Sequence, residues 1–323
     1  CSYSHEVLQH WWPEERTLTV LRVSHRVRGL VRKSGVRFPA RIKAVEKTED
    51  WAQRLTETAS CVRVVHVDFS AIRIGVEGAG TLASIIRSCA SDLQHLDLVA
   101  NDIGSDGAGM LADVMGQCER LQYLDLGRNQ IGNKGAGRLA EALGKCKELA
   151  HLSLRVNGIR AEGAGSLAEA LVQCPKLSHL DLESNRVRAE GLGAGRLAEM
   201  LGNCHKLSFL NLKDNDIWDE GAESLADSLG GCSELYHLDL EKNMIGDEGA
   251  GRLAEMLVKC SKLHDVDLGQ NQIGARGAEK LVELPGQCSK LANINLIGNK
   301  TVQIMRWHVI PWNSDRLHNI ITI

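Results

Sequence analysis

From about residue 64 to residue 299 the chain switches between two hydrophobic periods, over and over. In HLDLEKNMIGDEGAGRLAEML, residues 237–257, the first part alternates. Leu238 and Leu240 fall on one side and His237, Asp239 and Glu241 on the other, the period-two pattern of a short, half-buried strand. Then the period lengthens: Leu253 and Leu257 stand four residues apart, on one face of a helix. The asparagine between the two periods ends the strand. Its amide can donate to and accept from backbone groups of the tight turn and the neighbouring coil. The glycine that follows, as at Gly107, Gly135, Gly163, Gly221, Gly249 and Gly277, is expected to permit a turn before the helix.

Aligning the asparagines gives Asn101, Asn129, Asn157, Asn185, Asn215, Asn243, Asn271 and Asn299, a step of 28 broken once by a step of 30. The longer step comes from GLGAGRLA at 191–198. An earlier, degenerate unit at 64–80 carries Ile72 in the asparagine position, which makes about nine units with atypical ends. Strand–helix units repeated in this way give a parallel ladder on one side and stacked helices on the other. Strands pack about 4.8 Å apart and helices about 8 to 10 Å apart, so the array is expected to curve with its strands on the concave face and its helices on the convex face. The predicted fold class is α/β, a horseshoe-shaped solenoid.

The units, L-x-x-L-D-L-x-x-N-x-I-G-x-x-G-A-x-x-L-A-x-x-L-x-x-C, resemble leucine-rich repeats of the ribonuclease-inhibitor type. That long-helix class is also found in the sensor regions of nucleotide-binding immune receptors (NLR proteins) and in Ran GTPase-activating proteins. The resemblance covers residues 61–299 and implies a solenoid that binds proteins. Three segments follow: a front flank at 1–60, the repeats at 61–299, and a C-terminal cap or tail at 300–323, with Pro285 interrupting the last helix.

Composition changes the picture in three places. Aromatic content is only 4%, so leucine, isoleucine and alanine must fill the core. Net charge is −3, which argues against nucleic acid as a partner of the repeats. Residues 1–60 carry 11 Lys/Arg against 7 Asp/Glu, leaving 27 against 34 for the rest, so the front is basic and the body acidic. Residues 16–45 hold nine Lys/Arg and no acid. This stretch is expected to be a helical cap on the first repeat. Other readings are an amphipathic helix on a membrane or phosphate backbone, or an F-box-like remnant. LRVSHRVRGLV at 21–31, preceded by Trp12 and Pro13, is similar to the later part of an F-box, with Val27 where that family has tryptophan. That similarity implies an Skp-type ubiquitin-ligase adaptor. No apolar run is long enough to span a bilayer. The chain opens on Cys1 rather than Met, as a fragment or processed product would.

Of ten cysteines, Cys61, Cys89, Cys118, Cys146, Cys174, Cys204, Cys232, Cys260 and Cys288 recur once per unit. Equivalent sites on adjacent helices lie beyond the roughly 7 Å reach of a disulfide, and no CxxC pair supports zinc. Small buried core residues in a reducing compartment are the expectation, which places the chain inside the cell, in the cytoplasm with the nucleus as the alternative.

Three columns line the outward strand positions. The first runs His66, His95, Tyr123, His151, His179, Phe209, His237, Asp265, Asn293; the second Asp68, Asp97, Asp125, Ser153, Asp181, Asn211, Asp239, Asp267, Asn295. The third is Ser70, Val99, Gly127, Arg155, Glu183, Lys213, Glu241, Gly269, Ile297. His-x-Asp on one strand invites a metal or a general-base dyad, but recurrence in every unit argues for a repeat consensus. The lattice is expected to make binding sensitive between pH 5.5 and 7.5. Recognition should sit where the consensus breaks. Trp218 replaces the glycine found as Gly104, Gly132, Gly246 or Gly274, and is expected on a loop beside Phe209 and Lys213 as an anchor. Asp214, Arg155, Arg160, Glu183, Arg186 and Arg188 join it, with Tyr123, His179 and His237 from the first column. On the outer helices Arg138, Arg196 and Arg252 stand three residues before Glu141, Glu199 and Glu255, predicting salt bridges within each helix.

No GxxxxGK[ST], GxSxG or HExxH is present; GNKGAG at 132–137 belongs to the repeat turn. The sequence therefore points to a non-enzymatic scaffold for a protein partner, with no cofactor and no metal. A GTPase served by a Ran-GAP-like activity and a ubiquitin-ligase adaptor stand as alternative partners.

Overall fold

The computed structural model describes residues 63–188, 193–284 and 290–300, together with the backbone of three short strand pieces at 18–19, 39–43 and 321–322. The F-box-like stretch, Cys1, Cys61, Cys288, Pro285 and most of the two flanks lie outside the described residues.

Each unit contributes one rung and one helix. The rungs are β3 (Arg63–Asp68), β4 (His95–Asp97), β5 (Tyr123–Asp125), β6 (His151–Ser153), β7 (His179–Asp181), β8 (Phe209–Asn211), β9 (His237–Asp239), β10 (Asp265–Asp267) and β11 (Asn293–Asn295). Between them run α1 (Gly75–Cys89), α2 (Gly104–Met115), α3 (Gly132–Leu143), α4 (Ala161–Leu171), α5 (Gly193–Gly202), α6 (Trp218–Leu229), α7 (Asp247–Leu257) and α8 (Ala275–Val282). All strands pair in parallel in chain order, so the sheet is open and winds in one direction. At its ends β1 (Leu18–Thr19) pairs with β2 (Pro39–Lys43), β2 with β3, and β11 with β12 (Ile321–Thr322). The described pieces of the front flank are thus further rungs of the sheet.

Register follows the repeat. His95 faces Tyr123, Leu96 faces Leu124 and Asp97 faces Asp125, and the same pairing holds along the ladder. Inward leucines such as Leu96, Leu124, Leu152, Leu180, Leu210 and Leu238 are fully buried against the helix leucines and alanines, each contributing roughly 1.5 to 3 kcal/mol of burial.

The repeated asparagines are buried and solve the polar problem that the tight turns create. Asn157 accepts from the backbone N–H groups of Asn129 (2.9 Å) and Ile131 (3.4 Å) in the preceding unit. Its amide donates to the carbonyls of Leu126, Leu154 and Arg155. The residues on either side of each asparagine are often left-handed, as at Arg128 and Gln130 (φ 59° and 58°), because the chain doubles back around the amide.

The glycine at Gly107 has a different task from the expected turn. It lies inside α2, where a Cβ would stand 2.8 Å from Ile103 Cγ2 and 3.0 Å from Ala79 Cβ of the previous helix. It sets helix spacing. The turn conformation falls three residues earlier, at Gly104 and Gly132 (φ 67° and 62°).

Helix starts follow a rule that crosses repeats. Asp219, in the first turn of α6, accepts from Gly246 N–H (2.7 Å) and Gly249 N–H (2.9 Å) at the start of α7. Asp247 does the same for Gly274 and Gly277, and Asn133 for Arg160 and Gly163. In these three units the residue entering the helix is extended, with φ between −105° and −94°. Where the preceding unit offers Val76 or Ala161 instead, Gly104 and Arg188 adopt φ of 67° and 57°, and Trp218 is left-handed too, at 58°. Ser105 stands at the equivalent place before α3, but its hydroxyl is buried without a partner and Gly132 stays left-handed. Asp219→Ala is therefore expected to cost about 1 kcal/mol and Ser105→Asp to add a similar amount. Urea titration of both variants checks this; unchanged midpoints would remove the rule.

A strand-face ring column and its loop rim

The first column of outward residues becomes a continuous stack of rings. Successive centroids are 3.7 Å apart for His66–His95, 3.9 Å for His95–Tyr123, 4.2 Å for Tyr123–His151 and 3.9 Å for His151–His179. The stack continues through Phe209 (4.0 Å) to His237 (4.6 Å) and stops at Asp265. One-residue-per-rung register brings flat side chains to contact distance, and planar rings fill that space in offset stacks.

Packing this close removes the histidines from water. Burial holds His151 and His179 down at about 4, with neighbouring histidines adding to the effect, and lowers His237. The expected histidine switch at mildly acidic pH is thus corrected for His151 and His179, which stay neutral across that range. The unfolded imidazole takes its proton near 6.5, so from 6.5 down to 4 the unfolded chain binds protons that the fold refuses, and stability falls over that window. Asp239 acts in the opposite sense. Burial and Asp267 raise it to about 6, so the fold keeps a proton that the unfolded chain releases between about 6 and 3.8, and stability rises as pH falls through that interval. Heteronuclear NMR titration should show His151 and His179 neutral at pH 5.5; midpoints near 6.5 for both would refute the assignment.

The second column serves the backbone. Asp125 Oδ1 accepts from Gly127 N–H (2.8 Å), Asp181 from Glu183 (3.1 Å), Asp239 from Glu241 (2.9 Å) and Asp267 from Gly269 (2.8 Å). Asn211 and Asn295 make the same bond to Lys213 and Ile297 (3.0 Å each), which shows that the bond needs an oxygen and not a charge. Burial raises Asp125 and Asp181 as well. His-x-Asp is a stacking residue followed by a strand-end cap.

The third column carries the variation. Arg155 lies over Gly127, where a Cβ would meet its Cγ at 2.9 Å, so the glycine makes room for the arginine. Lys213 forms an ion pair with the nearly buried Glu241, whose other oxygen accepts from Gln270 Nε2 (2.6 Å). Asp239, Glu241 and Asp267 each bring an oxygen within 4.8 Å of the others, and Lys213 supplies the positive charge at this trio.

The twelve residues singled out from sequence separate into two sets. Tyr123, Arg155, His179, Glu183, Phe209, Lys213 and His237 share the strand face. Burial beside Asp125 and Asp97 pushes the Tyr123 hydroxyl up to about 12. Arg160, Arg186, Arg188, Asp214 and Trp218 follow the strands, on the loops and helix starts that form a rim. Asp214 accepts from the Ser184 hydroxyl (2.8 Å), and Arg188 lies 3.5 Å from Asp216. Trp218 is the first residue of α6 rather than a loop residue beside Phe209 and Lys213. Its N–H donates to Asn243 (2.9 Å), which places it in register with Met244 of the next unit, and the two side chains are 45% and 41% exposed. Sequence reasoning missed Met244, Gln270 and the stacked pair Tyr236–His264 (4.8 Å), although the last two were visible as one aligned column ahead of the strands.

The helix face behaves differently from the expected pattern too. Arg138 pairs with Asp113 (2.6 Å), Arg196 with Glu169 (2.7 Å) and Arg252 with Asp227 (2.6 Å), each reaching back to the preceding helix; only Arg252 also pairs within its own helix, with Glu255. Stacked helices put the neighbour closer than the next turn. Among the described residues seven cysteines are buried and form no disulfide, and burial lifts the thiols of Cys89, Cys118, Cys146, Cys174, Cys204 and Cys232 to about 11 or 12, so these are core residues with little thiolate.

This architecture is a leucine-rich-repeat solenoid. A family model described as Leucine Rich repeat matches residues 90–112, 117–140, 173–194, 203–226, 232–254 and 259–282. Among solved structures, the chain is similar to an internalin from Listeria monocytogenes str. 4b F2365, with 16% sequence identity and a TM-score of 0.54 over 91% of this chain and 82% of that one. That likeness shows the fold. Comparison with curated proteins finds no match.

Proposed function

We propose that the protein is a non-enzymatic interaction scaffold that holds a protein partner on its strand face and adjoining rim. The observation that carries this reading is the arrangement of the variable residues. The repeat keeps its buried positions nearly constant while Arg155, Glu183, Phe209, Lys213 and Trp218 change the chemistry of one continuous, accessible side. Large exposed aromatics beside charged groups have the composition of an interface core. The long helices, up to 15 residues within a unit of 28, support a ribonuclease-inhibitor-like subtype. Free buried thiols support a reducing, cytoplasmic setting. No helix among the described residues is long and apolar enough to cross a membrane.

The test is affinity capture from native extract with the wild type beside Phe209→Ala with Trp218→Gly. Loss of a partner from the double variant is the expected result. Identical captures would remove this surface from consideration.

A further inference from the structure

Eight units bury an asparagine at the same place, but the residue that follows it changes. Asn101 precedes Asp102, Asn129 Gln130, Asn185 Arg186, Asn215 Asp216, Asn243 Met244, Asn271 Gln272 and Asn299 Lys300. Asn157 alone is followed by glycine, and no other Asn–Gly pair occurs in the chain. The position after the asparagine is left-handed in most units, with φ of 54° at Asp102, 58° at Gln130, 60° at Arg186, 53° at Asp216 and 58° at Met244. Gly158, at 66°, holds that conformation without the strain the others bear.

Relief of the strain has a chemical consequence. With no Cβ beside it, the Gly158 nitrogen can close on Asn157 Cγ. The N–Cγ bond forms, the Cγ–Nδ2 bond breaks, the glycine amide proton passes to solvent, and Nδ2 takes up a proton and leaves as ammonia. Water then opens one of the two C–N bonds of the cyclic imide. The product is aspartate, or isoaspartate with the main chain routed through the side-chain carbonyl carbon.

Half of the required arrangement is in place. Gly158 is exposed, a Cβ added to it would meet nothing within 4 Å, and its N–H has no hydrogen-bond partner among the described residues. The other half is withheld. Asn157 is 2% exposed, its amide is tied to five backbone groups, and its own N–H donates to Asn185 Oδ1 (3.0 Å). The side chain cannot swing to Gly158 until those bonds let go, so opening of this one turn governs the reaction. Afterwards a carboxylate has no N–H for the carbonyls of Leu126, Leu154 and Arg155, and it stands as a charge in a buried place, so the old turn does not re-form.

We propose that Asn157–Gly158 is a self-deamidation site, gated by local opening of the turn between β6 and α4. Its conversion is a one-way loss of the lock between neighbouring units in the middle of the array.

The experiment incubates the full chain at mildly alkaline pH, digests it, and uses peptide mapping by mass spectrometry to score each asparagine for the mass gained when an amide becomes an acid. Conversion is expected at Asn157, with the other seven repeat asparagines unchanged over the same period as internal controls. Gly158→Gln, which copies Asn129–Gln130 of the preceding unit, should bring Asn157 down to the level of those seven, in the folded chain and in urea alike. Asn133→Ala removes the oxygen that accepts from Arg160 and Gly163 at the start of α4. By loosening the turn it should speed conversion about fivefold. No conversion at Asn157, or conversion that persists in Gly158→Gln, would overturn the site. A rate unchanged by Asn133→Ala, or equal in the folded and the urea-unfolded chain, would overturn the gate. The readout is a mass, so no outcome requires the converted protein to stay folded.

Discussion

Asn157→Ala is expected to destabilise the protein by about 3 to 5 kcal/mol, the largest effect of any single substitution outside the leucine core. The alanine leaves the N–H groups of Asn129 and Ile131 and the carbonyls of Leu126, Leu154 and Arg155 without that partner in a water-poor turn. Each such orphan costs roughly 1 to 3 kcal/mol, part of which local relaxation recovers. Repeat arrays are held by nearest-neighbour terms, so the cut should also divide one cooperative unfolding transition into two. Urea denaturation followed by circular dichroism gives both readouts. A single transition shifted by less than about 1 kcal/mol would mean that water replaces the asparagine without loss.

Trp218→Gly is expected to weaken partner binding about thirtyfold, the scale of an aromatic anchor at an interface, while changing fold stability by no more than about 2 kcal/mol. Two terms oppose each other within the fold. The glycine removes left-handed strain of order 1 kcal/mol, and the deletion of a half-exposed indole removes a comparable amount of burial. Binding has no such compensation. Isothermal titration of the captured partner, with thermal denaturation of the free variant, separates the two. Phe209→His provides a further control. It supplies the residue that five other rungs use in the ring column, so the stack should close while the phenyl is lost from the face. Wild-type affinity in Trp218→Gly would place the anchor elsewhere.

The repeat itself was legible because leucine, asparagine and glycine recur for reasons internal to each unit. Strand and helix, the inward leucines and the outward columns all follow from periods of two and of 3.6 residues. What escaped reading depends on how units meet. Asp219 and Asp247 look like ordinary first-turn acids for their own helices, yet their hydrogen bonds go to the next one. Arg138 and Arg196 look spaced for their own helix and pair with the previous one. The ring column could be listed rung by rung, but the low proton affinity of His151, His179 and His237 arises from burial within stacks at 3.9 to 4.6 Å. Trp218 stood out as a broken consensus.

The asparagine contacts also give the array a direction. The acceptor oxygen for each turn comes from the unit that follows it: Asn101 leans on Asn129, Asn129 on Asn157, and so on to Asn243 on Asn271. Trimming units from the C-terminal side therefore strands the asparagine turn of the last surviving unit, whereas trimming from the N-terminal side spares those turns and removes instead the caps that Asn133, Asp219 and Asp247 give to the next helix. The two ends of the array should fray by different routes, the far end through its turns and the near end through its helix starts.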